Sequence, residues 1–332
     1  PSEDVLAGLP GAELYRLVDA PESAGLARLA VQCPVQWEGN HGSWGSHASF
    51  IKHLARRPRP GLRSLEIDGH LLPRSPSKGD AVPQLSHLLG GWSGPTVIDV
   101  GNLGKVLAAA SGLEELVVAQ AAKLKLGTVV APSLRTLLMG SSATSVLGAI
   151  ARSELPALET LVVRVARAKD VAMLLEGVRP LRHLGIIADR SKPNRQGDAV
   201  ISALLASEKI QALETLDLGG WDASDKGWRS LIGAAPRLKH LKELRLSTWR
   251  LSLADLAADI EEDLLEAFEP CASPRGRPRD EPIGRELEAA LPVRWLTTTI
   301  EPIEETKDRD VVYGYSSELS LDEWSEVERR AD

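Results

Sequence analysis

ALETLDLGGWDASDKGWRSLIGAAPRLKHLKELRLSTWRL, residues Ala212 to Leu251, contains one spacing twice: Leu213, Leu216 and Leu218 recur 28 residues later as Leu241, Leu244 and Leu246. In such an L-x-x-L-x-L unit the alternation puts two aliphatic side chains on one face of a short strand and the residue between them on the other. A strand followed by a turn and an amphipathic helix cannot bury its apolar side alone, so it must stack on further copies of itself.

Working outward, L-x-x-L-x-[LIVM] is found at Leu26/Leu29/Val31, Leu62/Leu65/Ile67, Leu113/Leu116/Val118, Leu134/Leu137/Met139, Leu158/Leu161/Val163 and Leu181/Leu184/Ile186, besides the two units above. The intervals are 36, 51, 21, 24, 23, 32 and 28 residues, so variable connections surround a constant strand. Helical patterns fall between the matches, with apolar faces at Phe50/Ile51/Leu54, Val82/Leu85/Leu88/Leu89, Val171/Leu174/Leu175 and Val200/Leu204/Leu205. Alternating strands and helices with right-handed crossovers predict an α/β chain whose parallel sheet curves into a solenoid. The step from Leu113 to Leu134 is too short for a full helix and predicts an extended segment around Leu124 to Val130.

The stretch LETLDLGGWDASDKGWRSLIGAAPRLKHLKELRLS resembles the ribonuclease-inhibitor-like class of leucine-rich repeats, LxxLxLxxNxLxxxGxxxL, with Gly227 at the glycine that leads the helix and Leu231 at its anchor. More loosely, over residues 20 to 300, the chain is similar to a group of uncharacterised bacterial leucine-rich repeat proteins, the opening LAGLP at Leu6 to Pro10 included. The resemblance implies a leucine-rich repeat solenoid with a curved parallel sheet on the concave face and helices on the convex face. It implies no particular activity, because this fold serves many unrelated interactions. One departure matters: the family's turn asparagine falls here on His70, Ala121, Ser142, Ala166, Asp189, Trp221 and Trp249, so the turn backbone needs other partners.

The expected organisation is an N-terminal cap over 1-25 with a short strand at Glu13 to Val18, then about eight repeats over 26-269 that end in the helical stretch LADLAADIEEDLLEAF. A Pro/Arg-rich linker or inserted loop follows at 270-282. Residues 283-332 form a C-terminal cap and tail, with a helix at Ile283 to Leu291, a strand at Val293 to Thr299 and the segment VVYGY.

Composition bounds the function. At 332 residues with 43% hydrophobic and 26% charged side chains the chain has material for a large core. A net charge of -7 disfavours bulk affinity for nucleic acid or anionic lipid, which require a basic field. Cys33 and Cys271 make neither a disulfide framework nor a zinc-finger spacing, which points to a reducing compartment. No run of eighteen apolar residues occurs, and the acidic start PSEDVLAGLP lacks the features of a secretion signal. The expectation is a soluble cytoplasmic protein of bacterial type, its initiator Met removed before Pro1, with no cofactor.

Five of the seven histidines, His41, His47, His53, His70 and His87, cluster early in the chain, which motivates an alternative reading as a metal-dependent or enzymatic subunit. Their spacing fits no zinc motif, and solvated or helix-capping histidines account for them better. GNLGK at Gly101 to Lys105 lacks the phosphate-loop glycine at Asp99 and the hydroxyl residue at Val106, and reads as a helix start. Arg56, Arg57, Arg59 and Arg63 lie at a helix-to-strand turn, and Arg275, Arg277, Arg279 and Arg285 lie in or beside the linker. They support a third reading, a component of a nucleic-acid-associated complex, although without interleaved aromatics direct binding is not expected.

The outward sheet positions carry the leading reading. The residues between the last two aliphatics are Ala30, Glu66, Val117, Leu138, Val162, Gly185, Asp217 and Arg245, and the next outward positions add Asp68, Ala119, Gly140, Arg164 and Ile187. Val117, Leu138 and Val162, with Ile187, predict an apolar stripe on the concave face, rimmed by Glu66, Asp68, Arg164, Asp217 and Arg245, which is how a protein-binding patch is built. The competing reading is that a terminal segment or loop of the same chain covers it. Trp221 and Trp249 share one offset in adjacent repeats and are either an interaction hot spot or fillers of the turn interior. The expected function is a non-catalytic interaction module or scaffold gripping another protein. On that reading Glu at positions 138 and 162 abolishes capture without unfolding the chain.

Overall fold

The computed structural model describes residues 5–6, 25–31, 47–67, 99–118, 121, 123–189, 196–249, 282–302 and 313–316. Each L-x-x-L-x-L match carries a strand: β2 (Arg28–Val31), β3 (Ser64–Ile67), β5 (Glu115–Val118), β7 (Thr136–Met139), β8 (Thr160–Val165), β9 (His183–Ala188), β10 (Thr215–Asp217) and β11 (Glu243–Trp249). β1 (Val5–Leu6) precedes them, and β12 (Val293–Pro302) and β13 (Tyr313–Ser316) follow. These eleven strands form one sheet in the order β1-β2-β3-β5-β7-β8-β9-β10-β11-β12-β13. Every neighbouring pair is parallel except β12 with β13. The strands that carry successive matches are thus spatial neighbours.

The helices are α1 (Ala48–Leu54), α2 (Leu103–Ala109), α3 (Thr144–Arg152), α4 (Ala168–Gly177), α5 (Gly197–Ala206), α6 (Asp225–Gly233) and α7 (Pro282–Ala290). Each sends its buried side chains, such as Ile51, Val106, Leu147, Leu174, Leu204, Leu231 and Leu287, into one core with the strand aliphatics Leu65, Leu116, Leu137, Leu161, Leu184, Leu216 and Leu244. The chain is therefore α/β, a large and mostly parallel sheet with its described helices on one face.

Helix beginnings are tied from one unit to the next. Asp170 in α4 accepts from Thr144 at the start of α3 and from Arg167 Nε at 2.9 Å. Asp198 in α5 accepts from the backbone N–H of Ser224 at 2.7 Å and from its hydroxyl at 2.6 Å, while Ser224 Oγ caps α6 through Gly227 N–H. These carboxylates also offset the positive ends of the helices. Gly227 is needed because a Cβ there would run into the Asp198 carboxylate.

A strand not read from the sequence, β4 (Asp99–Asn102), leads directly into α2 and pairs in parallel with β6 (Lys123–Lys125) as a separate two-stranded sheet. β6 is the extended segment expected near Leu124. In β4 the register shifts between Asp99 and Gly101, and Gly101 takes a φ of 76°, which a residue with a side chain rarely adopts. GNLGK is thus a strand end and helix start. The N-terminal strand lies at Val5–Leu6 and ends on the first residue of LAGLP. The strand expected at 13–18, the helical patterns at 82–89 and 253–268 and the linker at 270–281 lie outside the described residues.

Candidate functional site

Strand register turns the repeat into rows across the sheet. The outward row Ala30, Glu66, Val117, Leu138, Val162, Gly185, Asp217, Arg245 and Arg294 is continuous from β2 to β12. The positions picked from sequence are therefore brought together, about 5 Å apart per strand. Arg164 and Ile187 pair in the next row.

Their surroundings differ from the expectation. Val117, Leu138, Val162 and Ile187 expose only 3%, 0%, 5% and 2% of their surface, and they stand apart from the helix-side core. Glu66, Asp217 and Arg245 are buried with them. The apolar stripe is thus buried rather than an open patch. Among the described residues, each helix packs on the opposite face. The rim is likewise internal: Arg245 pairs with Glu243 at 2.8 Å, and Glu243 also holds Arg294 at 3.2 Å. Burial pulls Arg164 below the ordinary arginine range against the opposing charge of Asp189, whose carboxylate accepts a 2.5 Å bond from Ser142. Asp68 and the Trp249 side chain lie outside the described residues.

Trp221 is buried, and its indole N–H donates to the Ile186 carbonyl at 2.7 Å. Its ring belongs to the helix-side core, so the side chain is not exposed.

Two further rows were not picked out from the sequence. The residue before the second leucine gives an outward polar row, Arg28, Ser64, Glu115, Thr136, Thr160, His183, Thr215 and Glu243. Ser64, Glu115, Thr136, His183 and Glu243 are half-buried, and Thr160 and Thr215 are buried. One place earlier the charge alternates without a break: Arg63, Glu114, Arg135, Glu159, Arg182, Glu214, Lys242. Neighbours pair as Arg63–Glu114 at 3.4 Å, Arg135–Glu159 at 2.9 Å, Arg182–Glu159 at 3.7 Å, Arg182–Glu214 at 2.9 Å and Lys242–Glu214 at 2.8 Å. Hydrogen bonds from Arg182 and Lys242 lower the Glu214 carboxyl to about 2, and the same bond raises Arg182. Stacking the eight matches in the sequence would have revealed both rows.

The other candidates stay separate. His47 is buried where α1 begins, its backbone N–H on Asp99 O at 2.8 Å, and His53 accepts from Arg56 at 3.0 Å. His41, His70 and His87 lie outside the described residues, among which no three metal-ligating side chains converge. Arg59 is buried, with Nε on Leu54 O at 3.4 Å, and Arg63 belongs to the charge ladder, so the arginine run is divided between structural roles. No described helix is long and apolar enough to cross a membrane.

Comparison with protein-family models and with curated proteins finds no match. Among solved structures the chain is similar to a Bacteroides fragilis protein determined by a structural genomics consortium, at 18% identity and a TM-score of 0.56, covering 87% of this chain and 72% of that one. At that identity the likeness concerns the fold alone.

Proposed function

We propose that this chain is a leucine-rich repeat solenoid acting as a non-catalytic interaction module, with a protein as its partner. One strand per repeat, the strand order and the single-sided helices support the solenoid. The observation that carries the function is the polar row: five half-buried side chains, Ser64, Glu115, Thr136, His183 and Glu243, spaced over seven consecutive strands beside a packed apolar layer. Rigid, regularly spaced polar groups on a supported sheet suit an extended protein surface. Because the apolar stripe is buried, contact falls on this row and on the exposed charge ladder beside it, Arg63 to Lys242, rather than on Val117, Leu138 and Val162. The two widely separated cysteines fit a bacterial cytoplasmic setting, which is part of the same reading.

The test is affinity capture from the source organism with the wild-type chain, Ser64→Arg and Thr136→Arg, each checked for unchanged thermal stability. A partner held stoichiometrically by wild type and lost at least about tenfold by either variant is the expected result, the size of a disrupted interface contact. Identical capture by all three chains refutes the assignment of the row.

A further inference from the structure

His183 sits within the polar row, in register with Thr160 on β8 and Thr215 on β10, both buried. Its Nδ1 is enclosed and has no hydrogen-bond partner. Such a ring tolerates the neutral form. Imidazolium needs an acceptor for each N–H, and here protonation would place charge at an enclosed nitrogen with none in reach.

The charged groups on its own strand and on the neighbouring units, of which Arg182, Glu214, Arg245 and Glu159 act on the ring, come from four strands or their starts. Arg182 precedes it on its own strand, Glu159 flanks β8, Glu214 and Asp217 belong to the β10 unit, and Glu243 and Arg245 to β11. The carboxylates are largely committed elsewhere: Glu159 and Glu214 to Arg182, and Glu243 to Arg245 and Arg294. Burial first, then Arg182, hold the His183 imidazole below the ordinary value of 6.5, while Glu214 pulls the other way, Arg245 adds to the lowering and Glu159 opposes it least.

We propose that His183 is a proton sensor for the outward sheet face, neutral while β8, β9 and β10 are packed there and loosening that packing as the medium acidifies. The property belongs to the chain alone and does not require a partner. The sign follows from linkage. A folded value below 6.5 means that the unfolded chain takes up a proton the folded chain refuses. The stabilisation is therefore full above 6.5 and is lost as pH falls towards the folded value, by at most about tenfold in the folding equilibrium per pH unit for one group. A protein seated on the row would enclose the ring further, and its affinity would weaken in the same direction.

The experiment uses the full chain. The His183 ring signal, assigned by its absence in His183→Gln, is titrated by NMR, and urea unfolding is followed at pH 7.5, 6.5 and 5.5 for wild type, His183→Gln and His183→Phe. The expected result is titration below 6.5, with the wild-type folding equilibrium falling relative to His183→Gln between pH 6.5 and 5.5, by at most about fivefold. Titration at or above 6.5, or parallel pH profiles for wild type and His183→Gln, overturns the proposal. Should Gln fail to fold, the Phe variant and the wild-type titration decide it. Failure here leaves partner capture by Ser64 and Thr136 untouched, so the two readings fail separately.

Discussion

Leu138→Ala separates a covered sheet face from an open one. Leu138 points away from the helix-side core yet exposes none of its surface. Truncation to alanine removes three carbons, about 2.4 kcal/mol at ~0.8 per methylene, and the unfilled space raises the cost to about 3–4 kcal/mol. On an open face the same change would stay within about 0.5 kcal/mol. Leu137→Ala is the internal standard, since Leu137 is 2% exposed on the helix side of the same strand. Both variants are unfolded in urea, followed by tryptophan fluorescence and far-ultraviolet circular dichroism. With a slope of about 3 kcal/mol per molar, each midpoint should fall by about 1 M with the slope unchanged. A Leu138→Ala midpoint equal to wild type, beside a strongly lowered Leu137→Ala, would refute the buried apolar layer. The same reasoning changes what Glu at positions 138 and 162 would report. A carboxylate forced into that layer destabilises the fold, so lost capture in those variants would say nothing about contact.

Glu214→Gln should lower the melting temperature relative to wild type at pH 6. Because the folded carboxyl titrates at about 2 against an ordinary 4.5, that difference is full above 4.5 and disappears as pH falls towards 2. Melting curves at pH 6 and pH 2.5 check it, and a difference that grows on acidification would contradict the ladder. Ser224→Ala removes the α6 cap and one partner of Asp198 and should cost about 1–2 kcal/mol. Asp198→Ala should cost about 2–3 kcal/mol, because the backbone and hydroxyl donors of Ser224 both lose a charged acceptor. A double-mutant cycle should show coupling of about 1 kcal/mol or more, whereas strict additivity would mean that the two helix starts are independent.

The strands were legible because L-x-x-L-x-L states both a period of two and a buried side, and Leu116, Leu137, Leu161, Leu184, Leu216 and Leu244 all reach the core it predicts. β4 was not legible: Asp99–Asn102 has no such spacing, and its pairing depends on a register shift beside Gly101. Exposure of the outward positions was misjudged for a reason visible in retrospect. Parallel sheets are commonly packed on both faces, and their strands then read as continuous apolar runs rather than as alternation. LVV in β5, LLM in β7 and LVV in β8 are such runs, which fits the burial of Val117, Leu138 and Val162. The turns hid Trp221 because its role is set by reach: its indole crosses to the Ile186 carbonyl, a residue 35 places earlier in the chain.

The charge ladder escaped notice for another reason, that each residue in it is ordinary alone and informative only in order. Arg63, Glu114, Arg135, Glu159, Arg182, Glu214 and Lys242 alternate over seven strands, so every correct neighbour is of opposite sign and any strand that skipped one place would meet a like charge. Each exposed pair is weak and screened. The discrimination nevertheless accumulates across the sheet, because a skipped strand forfeits attraction and gains repulsion at once. The leucines are nearly interchangeable between repeats and cannot enforce that order. The solvent-facing ladder can, and it leaves the polar row behind it, His183 included, in a fixed register from β3 to β11.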